Sequence, residues 1–438
     1  MFILLRIGSG AGFAGDRIEP AITLVERGKL DYLILEGLAE RTIALAQRQK
    51  KRNPDLGYNE HLEERIQVLL PSLIKNKVRL ITNMGAANPI HAAKKIIEIA
   101  DSMGITCKVA AVTGDDISEE LDRNAAVIES GKRLHDYESI LSANAYLGID
   151  ALLPALDTDA DIIVTGRIAD PSLFLAPIVH HYHWEADDYE LLGQGTLIGH
   201  LLECAGQITG GYFADPGRKE VTGLSNLGFP LAIVEPNGDA VITKLSDTGG
   251  TVNLQTVKEQ LLYEIHDPKN YYTPDCIADF TSVQLKEIGK DQVLVQGGTG
   301  KRKPETLKVS VGYHAGYLGE GEISYAGSTA QARAELAENI LKERLNPLHS
   351  HLRTDLIGVS SLHHGQFGIH SPYEVRLRIA SLCRTQEEAK KIGHEVESLY
   401  TNGPAGGGGA RKKVEEVIGI ISTLIDRTSI STKTEVWE

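Results

Sequence analysis

The stretch of sequence that decides the fold is FILLRIGSGAGFAGD, residues 2–16. A branched apolar segment at residues 2–7 runs into a turn rich in glycine, and a helical pattern follows up to residue 27. A second apolar run at residues 32–35 ends at Glu36, so the order of segments predicts a βαβ unit. Because glycine lets the backbone approach a ligand closely and a helix N-terminus carries unpaired N–H groups, this turn can hold an anion.

The same turn resembles a dinucleotide fingerprint. Gly10, Gly12 and Gly15 fit the G-x-G-x-x-G pattern, and Glu36 lies where an acid that binds ribose belongs. The predicted strand ends at Ile7, however, so the glycines begin too late, and the chain has 44 glycines, which makes a chance match easy. Three interpretations stay open: a dinucleotide site, a tight turn that binds nothing, and an active-site loop of another kind.

Composition limits the class of protein. The 438 residues are 42% hydrophobic and 24% charged, with a formal net charge of −14. This length predicts two or three domains with a large core, and the charge argues against nucleic acid and anionic membranes as partners. Four scattered cysteines without a C-x-x-C pair are typical of reduced thiols in a cytoplasmic protein, and we expect no metal site. No apolar run is long enough for a membrane helix, and we expect no secretion signal.

The first half of the chain has the alternation typical of an α/β domain, which we place at residues 1–218. The predicted strands cover residues 2–7, 32–35, 78–82, 106–112 and 162–165. The predicted helices cover residues 16–27, 39–50, 61–76, 90–103 and 117–130. The strands are continuous apolar runs, as parallel strands covered on both faces should be. A doubly wound sheet and a (β/α)₈-like barrel both fit, and either places ligands at the carboxyl ends of the strands.

Polar side chains follow several of these strands, which predicts a shared polar cleft. Asn83 follows the third strand, and Arg167 and Asp170 follow the fifth. An arginine after a buried strand can clamp a carboxylate or a phosphate. The structural alternative is an ion pair of Arg167 with Asp157, Asp161 or Asp170. If Arg167 binds substrate, replacing it by alanine should abolish turnover while leaving the fold intact.

A second candidate site lies on the apolar helix-like segment at residues 192–204. His200 and Glu203 are three positions apart and hence on one face, where they can do acid–base work or bind a metal. The alternative is a hydrogen-bonded core histidine. Cys204 is a candidate nucleophile only if its pKa is lowered.

The second half, residues 219–438, has closely spaced strand patterns and fewer helices, which predicts an α+β domain with ferredoxin-like pieces. Two glycine-rich loops in this half are candidate binding sites, because consecutive backbone N–H groups can hold an anion. Gly249 and Gly250 belong to the first loop. The second loop contains Gly406, Gly407 and Gly408 and precedes a predicted helix over residues 411–426 that opens with Arg411. The alternative for this second loop is a flexible hinge.

The chain resembles the acyclic terpene utilisation family AtuA over nearly its full length. The stretches that carry the resemblance occur in order along the chain: RIGSGAGFAGD, VERGKLDYLILEGLAE, TNMGAANP, IVTGRIADPSL, GHLLECAGQITGGYFADPG, KLSDTGG and GPAGGGG. The resemblance implies a cytoplasmic catabolic protein of acyclic terpene or branched organic acid degradation, with a small partner protein of the same pathway. It leaves the reaction open.

Together these features favour an enzyme of the lyase or hydratase type, which acts on a carboxylate or acyl-CoA in a cleft between the two predicted domains. Arg167 would orient the anionic group, Asp170, His200 or Glu203 would move a proton, and glycine turns would stabilise an oxyanion. The cofactor is unknown, and a CoA thioester is a candidate substrate. The alternatives are an NAD(P)-dependent enzyme that uses the first glycine-rich loop, and a non-catalytic scaffold subunit. A homo-oligomer is expected on base rates alone.

Overall fold

The computed structural model describes residues 4–346, 352–363 and 372–438. They form two compact units, one of residues 1–312 with 420–438 and the other of residues 313–419. These units do not coincide with the predicted boundary after residue 218, because strands beyond that residue extend the sheet of the first unit. Among the described residues, no helix has both the length and the apolar character needed to cross a bilayer.

Helices and strands alternate through the first half of the chain, and strands predominate in the second half. The helices are α1 (Glu19–Arg27), α2 (Glu40–Arg52), α3 (Leu62–Asn76), α4 (Pro89–Ser102), α5 (Ile149–Leu156), α6 (Asp170–Tyr182), α7 (Tyr189–Glu203), α8 (Leu254–Leu262), α9 (Ala330–Leu345) and α10 (Gln386–Asn402). The first strands are β1 (Leu5–Ala11), β2 (Tyr32–Leu35), β3 (Arg79–Thr82), β4 (Val109–Thr113), β5 (Ile140–Ala145), β6 (Ile162–Thr165), β7 (Pro230–Val234), β8 (Ala240–Lys244) and β9 (Tyr271–Tyr272). The later strands are β10 (Ile277–Asp279), β11 (Gln284–Gly289), β12 (Gln292–Gln296), β13 (Thr299–Lys301), β14 (Thr306–Ala326), β15 (Arg353–Ile357), β16 (Glu374–Cys383), β17 (Gly408–Asp426) and β18 (Lys433–Trp437).

A ten-stranded sheet organises the first unit, in the order β11-β12-β8-β7-β1-β2-β3-β6-β4-β18. The five central strands from β1 to β4 are parallel, and the flanking strands pair antiparallel. The sheet is open, with β11 and β18 at its edges. The predicted α/β class is confirmed, and of the two predicted architectures the open sheet is the one found.

Helices cover both faces of the parallel strands, which explains why those strands are apolar without alternation. Leu33, Leu80 and Val164 join the core cluster formed with α1, α3 and α4. The intervening residues Ile34 and Ile163 are also fully buried. Since successive side chains of a strand point to opposite faces, these residues lie on the face that α5, α6 and α7 contact.

The register of the parallel strands brings their carboxyl ends to one level. Ala11 of β1 pairs with Leu35 of β2, Leu35 pairs with Thr82 of β3, and Thr82 pairs with Val164 of β6. The residues that follow these four strands therefore emerge side by side along one edge of the sheet.

The second unit has a β-α-β-β-α-β order formed by β14, α9, β15, β16, α10 and β17. Its strands lie in the order β15-β16-β14-β17, and β16 pairs antiparallel with both β15 and β14. This is the split arrangement of ferredoxin-like folds. The core is formed by buried residues of α9 and α10 packed on the sheet.

Three predicted elements were wrong. The first strand continues through the glycines to Ala11. Residues 117–130 contain no helix, because Asp116 and Asp122 accept hydrogen bonds from backbone N–H groups two residues on and so favour turns. The predicted helix over residues 411–426 is strand β17, a segment rich in valine, isoleucine and threonine, which favour strands.

Candidate functional site

A cleft of about 700 Å³ lies in the first unit at the carboxyl ends of β1, β2 and β6. It is closed by the end of α7 and by loops that contain Leu227, Tyr263 and Glu264. Residues on both sides of the predicted boundary at 218 thus line one cleft within a single compact unit. The acidic side chains that line it are Asp16, Glu36, Glu40, Asp170, Glu203 and Glu264.

Glu36 follows β2 and is only 7% exposed. Its Oε1 accepts hydrogen bonds from Leu38 N at 2.8 Å and from Asn83 Nδ2 at 3.1 Å. Burial raises the pKa of Glu36 to about 8, the negative charge of Asp170 adds to this shift, and Arg167 opposes it. At pH 7 the raised pKa favours the neutral form of this carboxyl group.

Asn83, a predicted binding residue, holds Glu36 in place. It follows β3, is fully buried, and its Oδ1 accepts a hydrogen bond from Gly37 N at 2.8 Å while its Nδ2 donates to Glu36. Asn83 thereby ties the loop after β2 to the neighbouring strand end. It does not line the cleft.

Arg167 is 1% exposed, and its guanidinium donates to the carbonyls of Leu38 and Ile168 and to the carboxylate of Asp170. The guanidinium also lies over the ring of Tyr146, 4.5 Å from its centre. The ion pair with Asp170 is thus present. Arg167 lines the cleft, but protein atoms already accept its hydrogen bonds, so we expect its replacement to lower the stability of the fold as well.

Asp170 is the member of that ion pair that faces the cleft, since its side chain keeps 37% of its surface exposed. Desolvation raises the pKa of Asp170, and Arg167 opposes the shift. Because the charge of Asp170 disfavours ionisation of Glu36, the titration of these two carboxyl groups is coupled.

His200 and Glu203 lie together at the end of α7, as their spacing predicted. His200 Nδ1 is 3.0 Å from Glu203 Oε1, and Nε2 is 3.3 Å from the carbonyl oxygen of Leu261. Tyr271 and Phe280 pack against the imidazole ring, with centroids 5.5 and 5.8 Å away. His200 is thus a buried, hydrogen-bonded histidine that orients Glu203.

Glu203 lines the cleft and has one unpaired carboxylate oxygen. Burial raises the pKa of Glu203 to about 7, and its hydrogen bond with His200 opposes the shift. Its Oε2 is buried and has no hydrogen-bond partner among the described residues. Since buried oxygens are normally paired, this atom is a candidate hydrogen-bond partner for a water molecule or a substrate group.

The glycines of the first loop serve close packing. In place of Gly10, a Cβ atom would lie 2.7 Å from Leu35 Cδ2, and in place of Gly12 it would lie 2.6 Å from the carbonyl carbon of Cys204. At Gly15 it would meet the ring of Phe13 at 2.8 Å.

Two further features separate this loop from a dinucleotide fingerprint. Gly10 lies inside β1, and α1 begins only at Glu19. The N–H of Gly12 donates to Asp16 at 2.8 Å. This N–H, like that of Gly37, is therefore occupied by a protein acceptor.

The other predicted glycine sites are not among the residues that line the cleft. The N–H groups of Gly249 and Gly250 donate to the carbonyls of Asn226 and Thr222, each at 2.8 Å, so these glycines join two loops. Gly406, Gly407, Gly408 and Arg411 belong to the second unit, where Gly408 begins β17 and Arg411 is exposed on it. The loop thus precedes a strand and lacks the helix N-terminus on which its predicted anion affinity partly rested.

Sequence reasoning missed the carboxyl groups of Asp16, Glu40 and Glu264 and the role of Glu36 as an acid in the cleft. Glu36 carried a usable signal, because it follows a buried strand in the same way as Asn83. Glu264 carried none, since it comes from a distant loop. Cys204 also lines the cleft, but burial raises the pKa of its thiol to about 12, which disfavours a thiolate nucleophile.

The described part of the chain contains no group of three or more His, Cys, Asp or Glu side chains placed to hold a metal ion. Neither the curated proteins nor the solved structures compared with the chain include a significant match. The sequence profile of the acyclic terpene utilisation family protein AtuA matches residues 5–436. The chain therefore belongs to this family, which has a role in acyclic terpene utilisation.

Proposed function

We propose that the chain is a lyase or hydratase that moves protons between the cleft carboxyl groups and an unsaturated acid or acyl-CoA. The observation that carries this proposal is the pair Glu36 and Glu203. Both line one cleft, Glu36 buried and Glu203 largely buried, with pKa values raised to about 8 and about 7. Carboxyl groups whose environments raise their pKa values toward neutrality are typical of acid–base catalysis near neutral pH.

The reaction that suits this pair is the addition of water to a double bond conjugated with a carbonyl group. Glu203, ionised and oriented by His200, takes a proton from water as the oxygen bonds to the β-carbon. Glu36 gives its proton to the α-carbon, so that Glu203 ends protonated and Glu36 ionised. Exchange with solvent restores both groups, and the reverse sequence eliminates water.

The walls of the cleft suit a substrate with an apolar part. Phe13, Leu227 and Phe229 line it together with the acidic side chains. With Glu36 protonated, the negative charge of the cleft falls, which lowers the cost of admitting a carboxylate or a thioester.

The test is turnover of a panel of α,β-unsaturated acids and acyl-CoAs in D₂O. Hydration is followed by the loss of conjugated ultraviolet absorption, and deuterium at the α-carbon is detected by mass spectrometry. Glu36→Gln and Glu203→Gln should each lower kcat roughly 10²-fold or more, which is the usual rate contribution of a general acid or base. The free enzyme should be most active between about pH 7 and about pH 8, where Glu203 is ionised and Glu36 protonated.

Asp275 offers a matched control. It is 2% exposed, and burial raises its pKa to about 6, but it does not line the cleft. Its carboxylate accepts hydrogen bonds from Ser172 Oγ at 2.5 Å and Ile149 N at 2.8 Å. Asp275→Asn should retain activity if the folded fraction is unchanged; a loss equal to that of Glu203→Gln would contradict the proposed roles.

The scaffold alternative predicts no turnover and no deuterium exchange with any member of the panel. That outcome would favour a non-catalytic binding subunit of a catabolic complex. The small partner protein and the homo-oligomer are further proposals. Co-purification with proteins encoded beside the gene and sedimentation of the purified chain test them.

A further inference from the structure

A second cavity, of about 550 Å³, lies in the second unit between α10 and β17. The charged side chains that line it are all basic: Lys390 and Lys391 on the helix, and Lys412 and Lys413 on the strand, with His394 beside them. A concentration of lysines is unexpected in a chain with a formal net charge of −14.

The close approach of α10 to β17 creates this concentration. A Cβ atom at Gly393 would lie 2.5 Å from Cβ of Lys412, so only glycine lets the helix come this near to the strand. The contact brings the helical lysines Lys390 and Lys391 to the same cavity as the lysines of the strand.

The acidic side chains nearby neutralise this charge in part. Lys412 pairs with Glu397 at 2.6 Å, and Lys413 pairs with Glu415 at 2.5 Å. Lys390 and Lys391 are exposed and have no ion pair among the described residues. The cavity therefore retains positive charge on its helical side.

We infer that this cavity binds a ligand that carries two or more phosphate groups. Lysine is a strong phosphate binder as a point charge, and the imidazole of His394 adds a hydrogen-bonding group. Val414 and the lysine stems supply an apolar floor, and the volume is typical of small-molecule sites. Both the nucleotide end of CoA and free diphosphate have this chemistry, and the inference is independent of the reaction proposed for the first unit.

The experiment measures binding of CoA, adenosine 3′,5′-bisphosphate and inorganic diphosphate by calorimetry at two salt concentrations. The double variant Lys390→Gln, Lys391→Gln should bind each ligand roughly tenfold more weakly or worse. Lys94→Gln is the matched control, because Lys94 is an exposed helical lysine without an ion pair among the described residues. It should bind as the parent chain does.

Tighter binding of CoA than of diphosphate would assign the site to a nucleotide, and equal affinities would assign it to the phosphates alone; either supports the inference. Absence of saturable binding, or equal binding by the double variant, would overturn it. Mass-spectrometric labelling of lysines in the parent chain gives a second readout, which does not depend on folding of the variant. CoA should protect Lys390 and Lys391 and leave Lys94 reactive, and unprotected cavity lysines would also overturn the inference.

Discussion

Replacing Glu36 by glutamine should change the pH dependence of stability in a direction that the structure fixes. Glutamine keeps an acceptor for Leu38 N and Asn83 Nδ2 and cannot ionise. In the folded chain the pKa of Glu36 is about 8, against an ordinary value of 4.5. The native state therefore binds more protons than the unfolded state between these two values, so Glu36 lowers the free energy of unfolding as pH rises through that range.

The size of the effect follows from the shift. At about 1.36 kcal/mol for each pKa unit, Glu36 can lower the free energy of unfolding by at most about 5 kcal/mol at pH 8. Because Asp170 interacts with Glu36, part of the proton uptake belongs to the pair, and the measured change should be smaller. Below pH 4.5 both states are protonated, and Glu36 then contributes no pH-dependent difference.

The assay is urea unfolding of the parent chain and Glu36→Gln at pH 5, 6, 7 and 8. The stability of the variant relative to the parent should increase at each step. Parallel curves for the two proteins across this range would refute a raised pKa at Glu36.

Glu40→Gln is the control, since Glu40 lines the same cleft. Burial alone would raise the pKa of Glu40, but the hydrogen bond from Tyr146 and the charges of Lys308 and Arg167 bring it below its usual value. Its stabilising contribution is therefore complete above pH 4.5 and is lost only in acid. Glu40→Gln should be less stable than the parent by a constant amount from pH 5 to pH 8.

Three further outcomes are expected. Arg167→Ala should lose roughly 3–5 kcal/mol of stability in urea unfolding, because Asp170 loses its ion pair and the carbonyls of Leu38 and Ile168 lose their donor; an unchanged midpoint would contradict the structural role. Gly12→Ala should cost about 1–3 kcal/mol, because the new Cβ meets the backbone of Cys204; a thermal shift assay would show no change if that contact were absent. His200→Ala should raise the pKa of Glu203 above about 7, because it removes the hydrogen bond that opposes burial; infrared titration of the ¹³C-labelled carboxyl group measures it, and a lower pKa would exclude the proposed orientation.

The strands that are buried on both faces were predictable, because such strands can be recognised from the local sequence alone. Two predicted strands agree with β2 and β6, because a parallel strand between two helical layers is a short apolar run. The segment at residues 411–426 was predicted as a helix because its charged and apolar residues also fit a helical period, whereas it forms strand β17. The pairing of β17 in a sheet is a long-range contact, and no local pattern reports it.

The candidate site was predictable to the extent that it follows strand ends. Arg167 and Asp170 line the cleft for that reason. The structural role of Arg167 was not predictable, because it depends on the carbonyls of Leu38 and Ile168 lying within reach of the guanidinium. The unpaired oxygen of Glu203 likewise depends on the packing around His200.

Strand β18 has a consequence for the order of folding. Lys433 of β18 pairs with Thr113 of β4, 320 positions earlier, and the whole second unit lies between them in the sequence. During synthesis the edge of β4 stays uncovered until the ribosome has translated the second unit, and an exposed strand edge can pair with a neighbouring chain. We therefore expect nascent or truncated chains that lack residues 433–437 to depend on chaperones.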